Sequence, residues 1–130
     1  MRMIARLTAA LAIAALPLAS ASGQQPEPPD SATIAAGKAL YEGRGLCQTC
    51  HGRNGEGVLG PTTRLDAGKK WLHHDGSLQA IAALIIAGID ENKSSSGIVM
   101  PPRGGSRLTD EQVRQVAAYV QVLHRRKNSK

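Results

Sequence analysis

Residues 47–51 read Cys-Gln-Thr-Cys-His, and the rest of the chain is best interpreted outward from this stretch. Cys47 and Cys50 are the only two cysteines among 130 residues, and His51 follows them directly. C-x-x-C-H is the attachment motif of c-type haem, in which each thiol bonds to one vinyl group of the porphyrin and the histidine binds the iron. The motif predicts one covalent haem c on Cys47 and Cys50, with His51 as an axial ligand.

The cysteine pair has three alternative roles. A thioredoxin-like redox pair needs a strand–helix–strand setting, and half of a zinc site needs further ligands, yet no strand pattern and no second cysteine pair are visible. A structural disulfide would suit an oxidising compartment. The composition favours haem, because a chain with one Trp, two Tyr and no Phe has few large side chains for a core, and a porphyrin would fill that space.

Met100 is the candidate for the second axial ligand. It is the only methionine beyond residue 3, and two prolines follow it in a loop. A thioether ligand would raise the reduction potential and close the sixth coordination position. The alternatives are a lone core methionine, or ligation by His73, His74 or His124. His73 and His74 are adjacent in a polar stretch with Asp75, so we expect them at the surface. His124 is close to the C-terminus, so we expect it in solvent.

Helical periodicity and capping residues predict three main helices. The first runs from about residue 31 to the glycines at 43–45, and the second from about 77 to 87. The last starts at a capping box formed by Thr109 and Gln112. Gly37 lies inside the first helix, where glycine is unfavourable, so it predicts close approach by another backbone.

Glycine and proline mark residues 52–70 and 90–107 as loops, with a short helical turn expected around Trp71. No alternating strand pattern and no internal repeat is present. The predicted fold class is therefore all-α, with about three to five helices and long loops. Loops of this length are uncommon in a small domain unless they have a function.

The first 21 residues have the pattern of a signal peptide. Arg2 and Arg6 precede an apolar run over residues 7–18, and Ala-Ser-Ala at 19–21 is a cleavage signal. The run is shorter than the roughly 20 residues that span a bilayer, so we predict cleavage and no stable membrane insertion of the mature chain. An uncleaved anchor is the alternative. The predicted location is an exported compartment, the bacterial periplasm.

The predicted mature chain has a proline-rich leader at residues 22–30 and one domain at 31–130. Cleavage after residue 21 removes two arginines and no acid, so the formal net charge falls from +6 to +4. No groove-reading motif accompanies this modest positive charge, so binding to nucleic acid is not indicated.

Three segments together resemble class I cytochrome c of the small bacterial periplasmic kind. They are CQTCHGRNGEGVLGP from residue 47, GIVMPPRGG from residue 97 and LTDEQVRQVAAYVQVL from residue 108. The resemblance extends in order over residues 32–124, which is nearly the whole predicted mature chain. It implies the cytochrome c fold, in which helices and loops wrap around one covalently bound haem.

The resemblance also implies roles for individual residues. The helix that carries Gly37 and Tyr41 would cross the last helix near Tyr119. The backbone carbonyl of Pro61 would accept a hydrogen bond from His51, a contact that orients the ligand and raises its basicity.

Two further residues match the family pattern. Met100 matches the axial methionine. Trp71 matches a tryptophan that contacts a haem propionate, although packing in the core is the alternative for this residue.

The function implied is one-electron transfer by a His/Met-ligated haem, as a soluble periplasmic carrier between redox enzymes. Such a protein is not an enzyme, because a haem with both axial positions filled offers no open site to substrate. One alternative is a dedicated haem subunit of a periplasmic dehydrogenase or terminal oxidase complex. Another is a haem sensor or enzyme with a displaceable sixth ligand.

The expected partners are a redox protein donor and a redox protein acceptor. Basic residues in or near the loops could form a weakly basic rim around the haem edge: Lys69, Lys70, Lys93, Arg103 and Arg107. A solvated surface without a docking role is the alternative for these cations.

Overall fold

A computed structural model describes residues 27–66 and 70–126 of the chain. The four α-helices are α1 (Ser31–Glu42), α2 (Gln48–His51), α3 (Leu78–Ala87) and α4 (Asp110–Arg125). Short 3-10 turns lie at Pro61–Thr63, Glu91–Lys93 and Pro102–Gly105. The described ranges contain no strand beyond one antiparallel bridge between Ile89 and Met100. The predicted all-α fold is confirmed.

The predicted signal peptide lies outside the described residues, as does the leader before residue 27. In residues 27–66 and 70–126, no helix combines the length and the apolar character that crossing a membrane requires.

Local capping explains where the three long helices begin. The Asp30 carboxylate accepts a hydrogen bond from the Thr33 amide at 2.7 Å at the start of α1. Ser77 caps α3, and Thr109 with Gln112 forms the predicted capping box of α4. Each side chain satisfies an amide that the first turn leaves unpaired, so these starts are readable from sequence.

Helices α1 and α4 cross closely, and their contact forms one half of the core. A Cβ on Gly37 would collide with the backbone carbonyl of Gln115, so only glycine allows this approach. The rings of Tyr41 and Tyr119 meet edge to face, with centroids 5.3 Å apart. Both predictions about this crossing are confirmed. The buried core cluster comprises Tyr41, Ile81, Ala82, Ile85, Leu108, Val113, Val116, Ala117, Tyr119, Val120 and Leu123.

The helical turn expected around Trp71 is wrong. Residues 70–77 form a series of bends before α3. The His74 ring accepts a hydrogen bond from the Gly76 amide, and the Asp75 carboxylate accepts one from the Ser77 amide. Side chains that bond to amides two residues ahead compete with helical hydrogen bonds, which explains the irregular path.

Candidate functional site

The four residues predicted to hold the haem line one cavity. Its volume is about 440 Å³, and Cys47, Cys50, His51 and Met100 all contribute to its wall. The volume lies within the ~300–1,000 Å³ range typical of cofactor and ligand sites. Aliphatic residues from loops and helices complete the wall, among them Leu46, Leu59, Leu65, Ile81, Ile85, Val99, Val116 and Val120. The donors and the apolar lining fit a haem.

His51, at the end of α2, is oriented by a single backbone contact. Its Nδ1 lies 2.7 Å from the Thr63 carbonyl oxygen. A carbonyl only accepts, so Nδ1 carries the proton and Nε2 is left free for a metal. Burial lowers the pKa of His51, although the hydrogen bond to Thr63 acts in the opposite direction. The neutral imidazole is therefore favoured, and that is the form that binds metals.

The role expected for Pro61 needs correction. The carbonyl that bonds to His51 belongs to Thr63, two residues later. Pro61 begins the 3-10 turn, in which the Thr63 amide donates to the Gly60 carbonyl at 3.0 Å. This turn brings its third carbonyl, and not its first, to the imidazole. Pro61 itself lines the cavity.

The two cysteines are half-buried and are not bonded to each other. Burial raises the pKa of the Cys47 thiol to about 11. Redox-active cysteine pairs depend on a lowered pKa, because the thiolate is the reactive form. The environment of Cys47 thus argues against the thioredoxin-like alternative, as does the absence of any strand beside the motif in the part of the chain that the structure describes.

Met100 is held in place by its own backbone. It exchanges two hydrogen bonds with Ile89, at 2.8 and 3.0 Å, and so forms the isolated bridge. Gly88 lies directly against the Met100 carbonyl, where a Cβ would collide with it. The half-buried side chain lines the cavity and also packs against the core cluster.

An aromatic cluster at the cavity wall was missed by the sequence analysis. The His124 ring stacks on Trp71 with centroids 3.7 Å apart and planes 21° apart. His124 Nδ1 also lies 3.2 Å from the Leu65 carbonyl oxygen, so the expectation that His124 lies in solvent is wrong. Its position four residues after Val120 continues the apolar stripe of α4, and this spacing was the available signal.

The two adjacent histidines differ in environment. His73 is exposed, as expected, whereas His74 is half-buried and packs against Trp71 at 4.6 Å between ring centroids. Burial lowers the pKa of His74, and the neighbouring His73 and His124 lower it further, while Asp75 opposes them. Both histidines line the cavity wall, as do Trp71 and His124.

Arg103, one of the residues expected in the basic rim, bonds within the protein. Its guanidinium donates to the Leu108 carbonyl at 2.9 Å and to the Asp110 carboxylate at 2.6 Å, so it is committed within the protein. The remaining rim candidates in the described ranges, Lys70, Lys93 and Arg107, are exposed. Lys70 lines the cavity, and Lys69 lies outside the described residues.

Comparison with known proteins gives a family and a fold. The profile of the family described as "Cytochrome C oxidase, cbb3-type, subunit III" matches residues 32–120. No curated protein sequence matches the chain.

Two solved structures share the fold. Cytochrome CL from the marine methylotrophic bacterium Methylophaga aminisulfidivorans is 22% identical with a TM-score of 0.53, and the match covers 79% of this chain and 61% of that one. A chain of the reducing HAO-like protein complex of Kuenenia stuttgartiensis is also 22% identical with a TM-score of 0.53, and the match covers 78% and 48%. The present chain thus matches about half to three fifths of each neighbour's length.

Proposed function

The chain belongs to this family of cytochrome c domains, and on that premise we propose that it transfers single electrons through one haem c bonded to Cys47 and Cys50. In this proposal His51 and Met100 would bind its iron. When bound, the haem iron supplies the one-electron couple. Membership of the family itself implies haem binding and a role in electron transfer.

One observation carries the proposal. Cys47, Cys50 and His51 lie around α2, Met100 lies 49 residues after His51, and all four line the same apolar cavity. Two thiols, an imidazole and a thioether are the side chains that attachment and His/Met ligation require. Neither a zinc site nor a structural disulfide would require these four side chains to line one cavity.

The surrounding residues have supporting roles. The Thr63 carbonyl fixes the His51 ring and its tautomer, and the bridge to Ile89 fixes the backbone of Met100. The aliphatic wall would surround the haem with apolar groups, and an apolar surrounding favours the reduced and less charged state of such a centre. We propose that Trp71 contacts a propionate, because it lines the cavity and is only half-buried.

The proposed partners are redox proteins that approach the exposed side of the cavity. Leu46 and Leu72 line the cavity and are more than half exposed, at 51% and 62%. Exposed apolar groups with Lys70 beside them suit a transient contact that is mainly apolar with weak electrostatic steering. We place this carrier in the bacterial periplasm, on the signal-like pattern of residues 1–21.

A second assignment is a dedicated haem subunit of a larger complex. The matching family is described as an oxidase subunit, and one structural neighbour belongs to a protein complex. Size-exclusion chromatography of an extract from the source organism separates the two assignments. A free carrier elutes at the size of a small monomer, whereas a subunit elutes with its partner.

Absorption spectra of the purified holoprotein test the ligand set. Met100→Ala should open the sixth position, lower the reduction potential and let added imidazole bind, while Val122→Ala, at a half-buried position outside the cavity wall, serves as the control. The double variant Cys47→Ser, Cys50→Ser should lose the haem stain that the parent polypeptide retains on a denaturing gel. An unchanged potential and spectrum in Met100→Ala would remove Met100 from the ligand set.

A further inference from the structure

Arg103 has a backbone conformation that its side chain disfavours. Its φ of 55° and ψ of 26° lie in the left-handed region, which is otherwise used mainly by glycine in this chain. An L-residue with a Cβ is strained there, so the surrounding contacts must hold it. The other non-glycine residue with positive φ in the described ranges is Leu46.

The contacts of Arg103 tie it to the start of α4. Nη1 donates to the carbonyl of the buried Leu108 at 2.9 Å, and Nη2 donates to the Asp110 carboxylate at 2.6 Å. Its own carbonyl accepts hydrogen bonds from the amide and the hydroxyl of Ser106, at 3.1 and 2.6 Å. The guanidinium side chain is 28% exposed, so water screens these bonds only in part.

The segment between Arg103 and Met100 is short and stiff. It consists of Pro101 and Pro102, whose rings fix φ, and the Gly104 amide bonds back to the Pro101 carbonyl at 2.9 Å. A displacement of Arg103 is therefore transmitted to Met100 with little loss. On its other side, Met100 is held by the bridge to Ile89.

We propose that Arg103 is a positioning residue for Met100, and this proposal rests on the function proposed above. Arg103 does not line the cavity, so it acts through the loop. Its guanidinium fastens the segment after Met100 to the first turn of α4, which is anchored in the core by Leu108 and Val113. The clamp limits how often the thioether leaves the sixth position.

Imidazole binding to the oxidised holoprotein measures this directly. Its apparent affinity depends on the fraction of molecules in which Met100 has left the iron. Arg103→Gly removes the clamp and keeps the left-handed backbone, and we expect apparent affinity to rise about threefold to tenfold. Asp110→Asn removes one partner without touching the loop backbone, and we expect a smaller rise.

Two controls match these variants. Arg107→Gly alters an exposed arginine in the same loop. Glu111→Gln removes the other acid of the first turn of α4, which pairs with Arg114 and not with the loop. Both should bind imidazole as the parent does. Urea midpoints for all variants show whether a change in ligand exchange follows from lower global stability.

The outcomes separate the two proposals. A parent that binds imidazole as readily as Met100→Ala is not ligated by Met100, which overturns the ligand set and this inference together. A parent that resists imidazole while Arg103→Gly and Asp110→Asn match their controls retains the ligand set and overturns the clamp. A rise confined to Arg103→Gly and Asp110→Asn, beyond any rise that tracks the urea midpoint, supports it.

Discussion

The α1–α4 crossing and the loop-built wall of the cavity are stabilised in different ways. At the crossing, Tyr41 is fully buried and Tyr119 is 1% exposed, and the two helices fit with no intervening space at Gly37. Across the cavity, Leu59 and Val99 remain 45% and 52% exposed. Exposed aliphatic side chains around an apolar cavity gain free energy when an apolar group covers them. The crossing is stabilised by contacts within the protein, whereas the stability of the cavity wall depends on the group that the cavity encloses.

Removal of the haem should have the largest effect. In the Cys47→Ser, Cys50→Ser variant without bound haem, we expect a mostly unfolded chain, because a ligand that binds only the folded state stabilises it. Circular dichroism during heating checks this against the holoprotein. A cooperative transition at a temperature close to that of the holoprotein would contradict this, because it would show that the cavity wall is stable without haem.

Gly37→Val should be the most damaging single change at the crossing. Its side chain would overlap the Gln115 carbonyl and force α1 and α4 apart, at a cost of about 3 kcal/mol in the free energy of unfolding. Ala35→Val, on the exposed face of α1, is the matched control and should cost only a few tenths. Urea unfolding of the holoproteins measures both. Equal losses would mean that helix propensity, and not close approach, explains the glycine.

The two tyrosines at the crossing should respond differently to loss of the hydroxyl. The Tyr41 hydroxyl donates to the carbonyl of the buried Gly52 at 2.7 Å. Tyr41→Phe removes this bond and leaves the carbonyl with the Gly55 amide, at 3.2 Å, as its donor, so the variant should cost about 1 kcal/mol. Within the described residues, the buried Tyr119 hydroxyl has no hydrogen-bond partner, so Tyr119→Phe should be neutral or slightly stabilising. Urea midpoints that fall equally for both variants would contradict the assignment.

The smallest expected effect is the pH dependence contributed by His74. Burial is the main cause that lowers its pKa from 6.5 in the folded chain, so the unfolded chain binds the proton more readily. The resulting stability is present above about pH 6.5 and is lost as the pH falls through the lower folded value. His74→Gln should reduce the loss of stability between about pH 7.5 and about pH 5. Gln79→Ala, at an exposed and uncharged position of α3, is the control and should follow the parent.

Local signals explain what the sequence predicted well. The caps at Ser77 and Thr109 act on amides within three residues, and they start the helices where expected. Gly37 is costly in a helix unless something approaches it, so its presence predicted the crossing. The spacing of Cys47, Cys50 and His51 placed these residues at one site, and the cavity brings Met100 to the same wall.

The misses involve contacts that depend on distant segments or on the exact path of a turn. Stacking of His124 on Trp71 requires the end of α4 to pass beside residues 70–76, and no local pattern encodes that approach. The orientation of the 3-10 turn at Pro61–Thr63 determines that His51 bonds to the carbonyl of Thr63 and not to that of Pro61. The ion pair of Arg103 with Asp110 depends on a left-handed backbone at an arginine, which sequence statistics disfavour.

The two helices of the crossing come from opposite ends of the described chain. α1 begins at Ser31 and α4 ends at Arg125, so their contact closes a long loop. Closing this loop costs conformational entropy, and that cost precedes the free energy gained from packing the two helices. During synthesis α1 therefore lacks its main packing partner until α4 has emerged. A chain truncated before residue 110 would lack one side of the crossing altogether. Formation of the crossing thus requires α4, whereas the C-x-x-C-H segment precedes it in the chain by about 60 residues.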